Sequence, residues 1–456
     1  MMCKLQIRAR FSSFLLAASM ALLVFSSLCS QYIGGYGNRS ANYDIWVYYF
    51  AAQTVAKNPH AALYGNDDGQ NPQAYAAPLD SELARHAAQA GLPRIMRFVY
   101  PPLLADALVP LSRVTLDHAV AIWRAFNLLC IFATTLMIAR TVRVRWVSFE
   151  FATLTLAAFS FYPIHETIYF GQIMIVLLAL WSLSVLAYQE GHIVLSACAL
   201  AFATGLKVTP ILAVSLFVLW NDRKWLLSYL AAGTGIFAAL AAINGTETLR
   251  AWVHILPSMS GLEPAAVNKN ISSVLSWIYY GRLFDQDSML MVISAPPPML
   301  MIAAKVACAV FLLGCLYPVW RNRMRMGRDE RGIAMAVIAL ATITVSPVSW
   351  RHAYALASLP LALVWARTLR QSAPVWQSLL LALTTVSLGT PIFDRAAAMT
   401  VSPFAQVFFA SVWVMSSVAF CLTTLWSPAF VWDPAFRKSP LIPRLFEPDS
   451  RLLIQK

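Results

Sequence analysis

Asp44 is the acidic residue around which the possible chemistry of this chain is arranged. It begins a helical stretch, NYDIWVYYFAAQTVAKNPHAALYG (residues 42–65), directly after the first apolar segment. Trp46, Tyr49 and Phe50 recur three and four residues apart, which predicts one aromatic helix face. Trp and Tyr favour the membrane–water interface, where a lone carboxylate is costly unless it has a function. Asp is also a common helix N-cap, so Asp44 fits a catalytic or a capping role.

Further polar and cationic residues stand where apolar segments begin or end. Each allows a structural alternative: a short polar loop, a lysine that reaches the interface, or an interfacial anchor. Anchoring explains Arg351 and Trp350, but it explains His352 less well, because that histidine enters an apolar span. The candidate ligand residues are His165, Glu166 and Gln172 in PIHETIYFGQ, Lys207 in GLKVTP, Lys269, Asn270 and Arg282 in NKNISSVLSWIYYGRLF, Trp350, Arg351 and His352 in SPVSWRHAYAL, and Tyr48 beside Asp44.

One carboxylate among several cations suits the transfer of a sugar from a lipid phosphate. The acceptor hydroxyl needs a base, which Asp44 could supply. The leaving phosphate monoester has a second pKa of about 6, so it departs as an anion and needs cations and hydrogen-bond donors to stabilise it. We expect Lys207, Arg282, Arg351 and His352 to serve that phosphate. The sequence has no evident carboxylate pair and no His/Cys cluster, so neither a metal nor another cofactor is expected.

Composition indicates an integral membrane protein. The chain has 456 residues, of which 59% are apolar and 12% charged, and its mean hydropathy is +0.62. Soluble domains have about 25% charged residues. The seven cysteines lie mostly in apolar runs, as buried small hydrophobes do. The net charge of +13 would suit nucleic acid, but the basic clusters flank apolar segments, which argues for a role in membrane topology instead.

The apolar runs predict an all-α polytopic membrane protein with about twelve spanning helices. Residues 193–220 fit either one long helix or two short ones, and only two short ones put every basic cluster on the cytoplasmic side. Both termini are then cytoplasmic in the plasma (inner) membrane, and the candidate residues face outward. The spans are predicted at an uncleaved 11–29 and at 118–139, 147–163, 170–188, 193–206, 207–220, 225–243, 299–320, 333–348, 354–367, 375–392 and 404–426.

The domain prediction is a single polytopic domain over residues 1–430, followed by a cytoplasmic tail at 431–456. Residues 30–117 form a first outer loop with interfacial helices. This loop ends in a proline-flanked re-entrant piece, FVYPPLLADALVPL (residues 98–111), which is too short to span. Residues 244–298 form a second outer loop.

The ordered motifs resemble glycosyltransferase family 87. The resemblance rests on YDIWVYYFAAQ, NPHAALYG, FVYPPLLADALVPL, FGQIMIVLLAL, GLKVTP, NKNISS and SPVSWRHAY. It implies a GT-C fold with short non-cytoplasmic interfacial helices, and inverting, metal-independent transfer from polyprenol-phosphate-mannose. It also implies that Asp44 is the base and that His352 lies near the donor phosphate. Lys269 stands where the family commonly has glutamine, and Arg351 stands where its sequences vary.

We therefore expect a glycosyltransferase with a polyprenyl-phosphate-sugar donor, a lipid or glycan acceptor, and membrane lipids around it. Two other classes fit parts of the sequence. A flippase or transporter of lipid-linked sugars would need polar residues along the middle of several spans. A non-catalytic subunit for envelope-polysaccharide assembly would make Asp44 only a helix cap.

Overall fold

The computed structural model describes residues 2–33, 43–60, 63–64, 81–92, 95–146, 148–256, 265–283, 297–371 and 373–427. These residues form α-helices, turns and 3₁₀ segments, and no β-strand occurs among them. The predicted tail at 431–456 and parts of both predicted outer loops lie outside the described residues. The helices are α1 (Met2–Ile33), α2 (Tyr43–Lys57), α3 (Glu82–Gln89), α4 (Pro102–Ala107), α5 (Leu116–Thr141), α6 (Phe149–Ser160), α7 (Tyr162–Phe170), α8 (Met174–Glu190), α9 (Ile193–Leu206), α10 (Val214–Trp220), α11 (Arg223–Ile255), α12 (Ile271–Tyr280), α13 (Pro298–Asn322), α14 (Arg328–Val345), α15 (Ser358–Gln371), α16 (Val375–Gly389), α17 (Ile392–Met399) and α18 (Pro403–Trp426), with 3₁₀ segments at Leu111–Arg113, Thr209–Ala213 and Arg351–Ala357.

Several of these helices are long and apolar enough to cross a membrane, which confirms a helical membrane protein. Within the described ranges there are five, namely Arg10–Cys29 of α1 and the whole of α5, α11, α13 and α18. The count becomes six if α16 and α17, which are bent by 67° relative to each other, form one span. Shorter apolar helices occur at α6, α8, α9 and Thr209–Trp220. A total of about twelve spans stays a prediction.

The core of the bundle is centred on α14. Every residue at 332–344 is buried, so this helix has no polar face and must be surrounded by other helices. It packs against α8 and α18. Its end at Val345 leads directly into SPVSWRHAYAL, so the most buried helix of the protein positions that motif.

Residues 193–220 form two segments that run in opposite directions, as the charge distribution predicts. α9 ends at Leu206, Lys207 is extended (φ −153°, ψ 129°), and a 3₁₀ segment leads into α10. Just beyond α10, Nε1 of Trp225 donates a hydrogen bond to Oγ of Ser196 at 3.0 Å. Because Ser196 lies in the first turns of α9, the chain has returned to the end of the bundle where α9 begins.

Basic residues predicted to be cytoplasmic gather at this same end. Arg331 donates to Oη of Tyr188 at 3.0 Å, and that hydroxyl donates to Asp222 at 3.1 Å. Arg143 pairs with Asp329 at 3.5 Å. The ends of α5, α8 and α10 and the start of α14 therefore meet at one basic end of the bundle, and Lys207 lies at the opposite end.

Three stretches at the ends of predicted spans are helical, so the helix bounds differ from the predicted span bounds there. Residues 163–169 belong to α7, because Pro163 lacks an N–H and fits the first turn of a helix rather than its interior. Residues 244–255 continue α11 across a kink at Gly245, where φ is 78°. Residues 393–403 contain most of α17.

An apolar cavity of about 540 Å³ lies between α1, α5, α6 and α15. Phe161 and Ile164 line it beside α7, and Ser358 lines it at the start of α15. These three residues stand within a few positions of Glu166 and His352 in the sequence. The cavity is therefore lined by segments adjacent to those of Glu166 and His352, and also by Val142 and Glu150 near the basic end.

Candidate active site

Asp44 lies in the first turn of α2 with 6% of its surface exposed. α2 packs closely against the turn between α7 and α8, where Gly171 has a φ of 73°. A Cβ on Gly171 would lie 2.6 Å from Cβ of Ile45, so only glycine permits this approach. Trp123 fixes the turn by donating Nε1 to the carbonyl of Gly171 at 2.7 Å. This packing brings Asp44 beside Gln172.

Gln172 is oriented by two tyrosines. The hydroxyls of Tyr48 and Tyr100 both donate to its Oε1, at 2.9 and 3.1 Å. Because the amide oxygen accepts both bonds, the amide nitrogen is the atom that can donate to Asp44. A side-chain hydrogen bond from Gln172 stabilises the charged form of Asp44.

The carboxylate of Asp44 is suited to accept a proton near neutral pH. Burial raises the pKa of Asp44 from 3.8 to about 7, while the hydrogen bond from Gln172 and the charge of Lys207 act in the opposite direction. Its Oδ2 accepts no hydrogen bond in the part of the chain that the structure describes. A carboxylate that has one oxygen without a hydrogen bond and a pKa near the working pH is what a general base requires.

Lys207 presents a partly buried positive charge that forms no ion pair with a described carboxylate. Its Nζ lies 3.5 Å from Sδ of Met174 and 5.7 Å from the ring centroid of Tyr100. Burial lowers the pKa of Lys207 to about 8, although the charge of Asp44 raises it. No described acidic side chain lies within ion-pair distance of it. An ammonium with such neighbours can be satisfied by a bound anion.

His352 is a neutral histidine beside these charges. It is 4% exposed, and its ring centroid lies 6.1 Å from that of Phe170 and 5.8 Å from that of Trp350. Burial lowers the pKa of His352 well below its usual value, and the charges of Lys207 and Arg351 lower it further. A neutral imidazole can donate one hydrogen bond and accept another.

Four charged side chains from separate parts of the chain, two of them buried and two partly buried, form a run of ion pairs, which we name the charge chain: Glu166, Arg351, Asp394 and Lys269. Nη2 of Arg351 lies 3.0 Å from Glu166 Oε1, and its Nη1 lies 3.4 Å from Asp394 Oδ2. Nζ of Lys269 lies 2.6 Å from Asp394 Oδ1. Burial disfavours the charge of Asp394, but the two cations hold its pKa below the usual value. Two cations and two anions give the charge chain a net charge of zero.

Side-chain amides fasten the NKNISS loop to the SPVSW loop. Asn268 donates to the carbonyl of Pro347 at 2.9 Å, and Asn270 donates to the carbonyls of Ser346 and Pro347, both at 2.8 Å. Oδ1 of Asn270 accepts from the backbone N–H of Ser273 at 2.7 Å and so caps α12. Both ends of the Asn270 amide are engaged. Asn270 therefore joins the two loops, and its direct contact with substrate stays a prediction.

His165 and Arg282 lie apart from the other candidate residues, which form the cluster described above. Nε2 of His165 contacts the carbonyl of Phe159 and lies 3.4 Å from Oγ of Ser27 on α1. Its ring therefore faces α1, whereas its neighbour Glu166 faces Arg351. Arg282 is exposed, one residue after Gly281 ends α12. The site proposed below leaves both His165 and Arg282 out.

Asp394 and Tyr100 belong to the cluster although the sequence analysis did not single them out. Asp394 follows the predicted span 375–392, and an acid directly after an apolar helix was a signal that could have been used. Tyr100 stands in FVYPPLL, but nothing in that motif shows that its hydroxyl reaches residue 172. No described group of three or more His, Cys, Asp or Glu side chains could hold a metal ion.

Comparison with known proteins gives matches over much of the chain. The sequence model for Glycosyltransferase family 87 matches residues 98–347, which is more than half of the protein. Asp44 and His352 lie outside that range, so their assignment rests on the geometry above.

The relatives are mycobacterial. A polyprenol-phosphate-mannose-dependent alpha-(1-2)-phosphatidylinositol mannoside mannosyltransferase from Mycolicibacterium smegmatis is 26% identical over 366 residues, covering 74% of this chain and 75% of that protein. A Mycobacterium tuberculosis protein of the same description is 24% identical over 270 residues, covering 56% and 58%. A phosphatidylinositol pentamannoside mannosyltransferase from M. tuberculosis is 24% identical over 264 residues, covering 56% and 55%.

Proposed function

The chain belongs to glycosyltransferase family 87 and is a membrane glycosyltransferase, and we propose that it transfers mannose from a polyprenyl-phosphate donor to a lipid or glycan acceptor. Relatives named for dependence on polyprenol-phosphate-mannose support this donor. Their names also specify phosphatidylinositol mannosides, which makes a lipid-linked acceptor the first to test. Membership of a glycosyltransferase family decides against the transporter and the non-catalytic subunit.

The main support is the placement of Asp44 and Lys207 in one buried site. Oδ2 of Asp44 is buried and accepts no hydrogen bond from the described residues, and Lys207 contacts sulfur and an aromatic ring rather than a carboxylate. Tyr100 joins the two surroundings, because its hydroxyl donates to Gln172 at 3.1 Å and its ring centroid lies 5.7 Å from Nζ of Lys207. A sugar phosphate at Lys207 and an acceptor hydroxyl at Asp44 would satisfy both side chains.

The proposed reaction is a direct displacement at the anomeric carbon. Asp44 accepts the proton of the acceptor hydroxyl, whose oxygen forms a bond to that carbon as the carbon–phosphate oxygen bond breaks. Polyprenyl phosphate leaves as an anion beside Lys207. Arg351, which directly precedes His352, adds positive potential there. Attack from the side opposite the phosphate inverts the anomeric centre. Positive side chains supply the charge stabilisation, so the step is written without a metal.

We further propose that the site opens to the outer side of the plasma membrane. The basic residues gather at the opposite end of the bundle, and basic loops favour the cytoplasm. Both chain termini are then cytoplasmic. A donor on the outer leaflet would reach Lys207 without crossing the bundle.

Transfer of radiolabelled mannose tests this function. Purified protein should transfer label from a short-chain polyprenyl-phosphate-mannose to a membrane lipid extract, and transfer should survive EDTA. Heat-treated protein is the control. Transfer from a different polyprenyl-phosphate sugar but not from the mannose donor would overturn the sugar assignment, and loss of transfer in EDTA would overturn the metal-free step.

The pH dependence of transfer should report the ionisation of Asp44. A base acts only when it is deprotonated, so kcat/KM should rise through about pH 7, and it should fall again above about pH 8 as Lys207 loses the proton that gives it its charge. Gln172→Met removes a hydrogen bond that lowers the pKa of Asp44, so its rising limb should move to higher pH. The control is Gln53, which lies on α2 like Asp44 and donates to the hydroxyl of Tyr49 at 3.0 Å. Gln53→Met should keep the rising limb of the pH profile at its wild-type position. An unmoved limb in Gln172→Met would contradict the proposed contact.

A further inference from the structure

Asp394 is the carboxylate that joins two cations of the charge chain. It lies on α17, whereas Lys269 precedes α12 and Arg351 begins a 3₁₀ segment. One oxygen of Asp394 contacts Lys269 at 2.6 Å and the other contacts Arg351 at 3.4 Å. The side chains of Lys269, Asp394 and Arg351 are 2%, 13% and 19% exposed, so water screens these charges poorly.

Arg351 connects this ion-pair run to the proposed donor site. It directly precedes His352, and its charge acts on that histidine together with the charge of Lys207. Glu166 and Asp394 offset the charges of Arg351 and Lys269, whereas no described carboxylate pairs with Lys207. The positive potential that a phosphate meets next to His352 therefore depends on Glu166 and Asp394, which pair with Arg351.

We propose that Asp394 is a positioning residue of the donor site, which fixes Arg351 and Lys269 and limits the positive charge behind His352. The proposal rests on the proposed function, because it concerns the phosphate of the donor and of the leaving polyprenyl phosphate. Excess positive charge would hold the product phosphate as well as the transition state, and such binding does not speed turnover. Asp394 thus allows the cations to be close to the phosphate without retaining the product.

Affinity for polyprenyl phosphate, measured by quenching of tryptophan fluorescence in detergent, tests this role. Asp394→Asn gives the charge chain a net charge of +1, Lys269→Gln gives −1, and the double variant restores zero. We expect Asp394→Asn to bind the lipid phosphate more tightly than wild type and Lys269→Gln more weakly, each by on the order of tenfold. The double variant should return close to the wild-type affinity.

Turnover and stability separate positioning from general support of the fold. Asp394→Asn should lower kcat with little increase in the KM for the donor, and Asp394→Glu should recover part of kcat. The matched control is Glu330, which pairs with Arg367 at 3.8 Å at the basic end, with side chains 5% and 12% exposed. Glu330→Gln should lower the melting temperature but leave phosphate affinity and kcat unchanged.

The series has clear contrary results. Affinities that do not follow the net charge, or weaker binding by Asp394→Asn, would overturn the role of Asp394. If Asp394→Asn does not fold, the double variant must still bind more tightly than Lys269→Gln alone. Binding that follows the charge order in a protein that transfers no mannose would reject the proposed sugar and keep this inference. Mannose transfer by a protein whose phosphate affinities do not depend on the charge would keep the proposed sugar and reject this inference.

Discussion

Asp44→Asn is expected to lower turnover by about 10²–10⁴-fold while the protein folds normally. Asparagine has nearly the same shape but cannot accept the proton of an acceptor hydroxyl. The melting temperature should not fall, because a neutral amide is easier to bury than a carboxylate. The measurement is the initial rate of mannose transfer with saturating donor, together with a thermal melt of the same preparation.

The contrast between a base and a cap makes this substitution decisive. Asparagine caps helices as well as aspartate does, so a purely capping Asp44 would leave transfer intact in Asp44→Asn. Asp106 supplies the matched control, since it is a partly buried acid on α4 that accepts from Asn244 at 2.7 Å. Asp106→Asn should stay within a few-fold of wild type. Turnover above roughly a tenth of wild type in Asp44→Asn would refute the assignment.

Lys207→Met is expected to lower kcat/KM for the donor by about 10²–10³-fold. Methionine keeps much of the length of the side chain but removes the charge that we assign to the donor phosphate. Removing a partly buried charge that has no described ion-pair partner should raise the melting temperature or leave it unchanged. Loss of catalysis with retained stability is a combination that a structural lysine would not give. Steady-state kinetics with varied donor, together with a thermal melt, measures both.

Lys305 is the control for Lys207. It also lies in an apolar helix, α13, but its side chain is exposed. Lys305→Met should therefore leave the KM for the donor and kcat at wild-type values. A Lys207→Met protein with wild-type kinetics would show that the donor phosphate binds elsewhere.

The sequence by itself determined the class of the protein and most of its helices. Long apolar runs are local features, and α5, α9, α13 and α18 lie within a few residues of the predicted spans. The distribution of basic residues was enough to predict that 193–220 turns back on itself. Hydropathy and charge act on each segment separately, which is why they could be used without a fold.

Local patterns were less informative at the outer end of the bundle. The predicted spans 147–163 and 225–243 end near Pro163 and Gly245, but Pro163 lies in the first turn of α7 and Gly245 only kinks α11. A proline or glycine disturbs a helix at one residue. Whether the chain continues as a helix beyond it depends on the packing of the following residues.

Only the tertiary structure decided which polar side chains meet. Gln172 is oriented by Tyr48 and Tyr100, and Asp394 joins Lys269 to Arg351. These partners are far apart in the sequence, and each lies on a different element. Hydropathy predicts that a helix is buried in the bundle, but it does not specify which neighbour the helix packs against or how it is rotated. The site therefore follows from helix packing, whereas its residue types and the membrane around it could be predicted from the sequence.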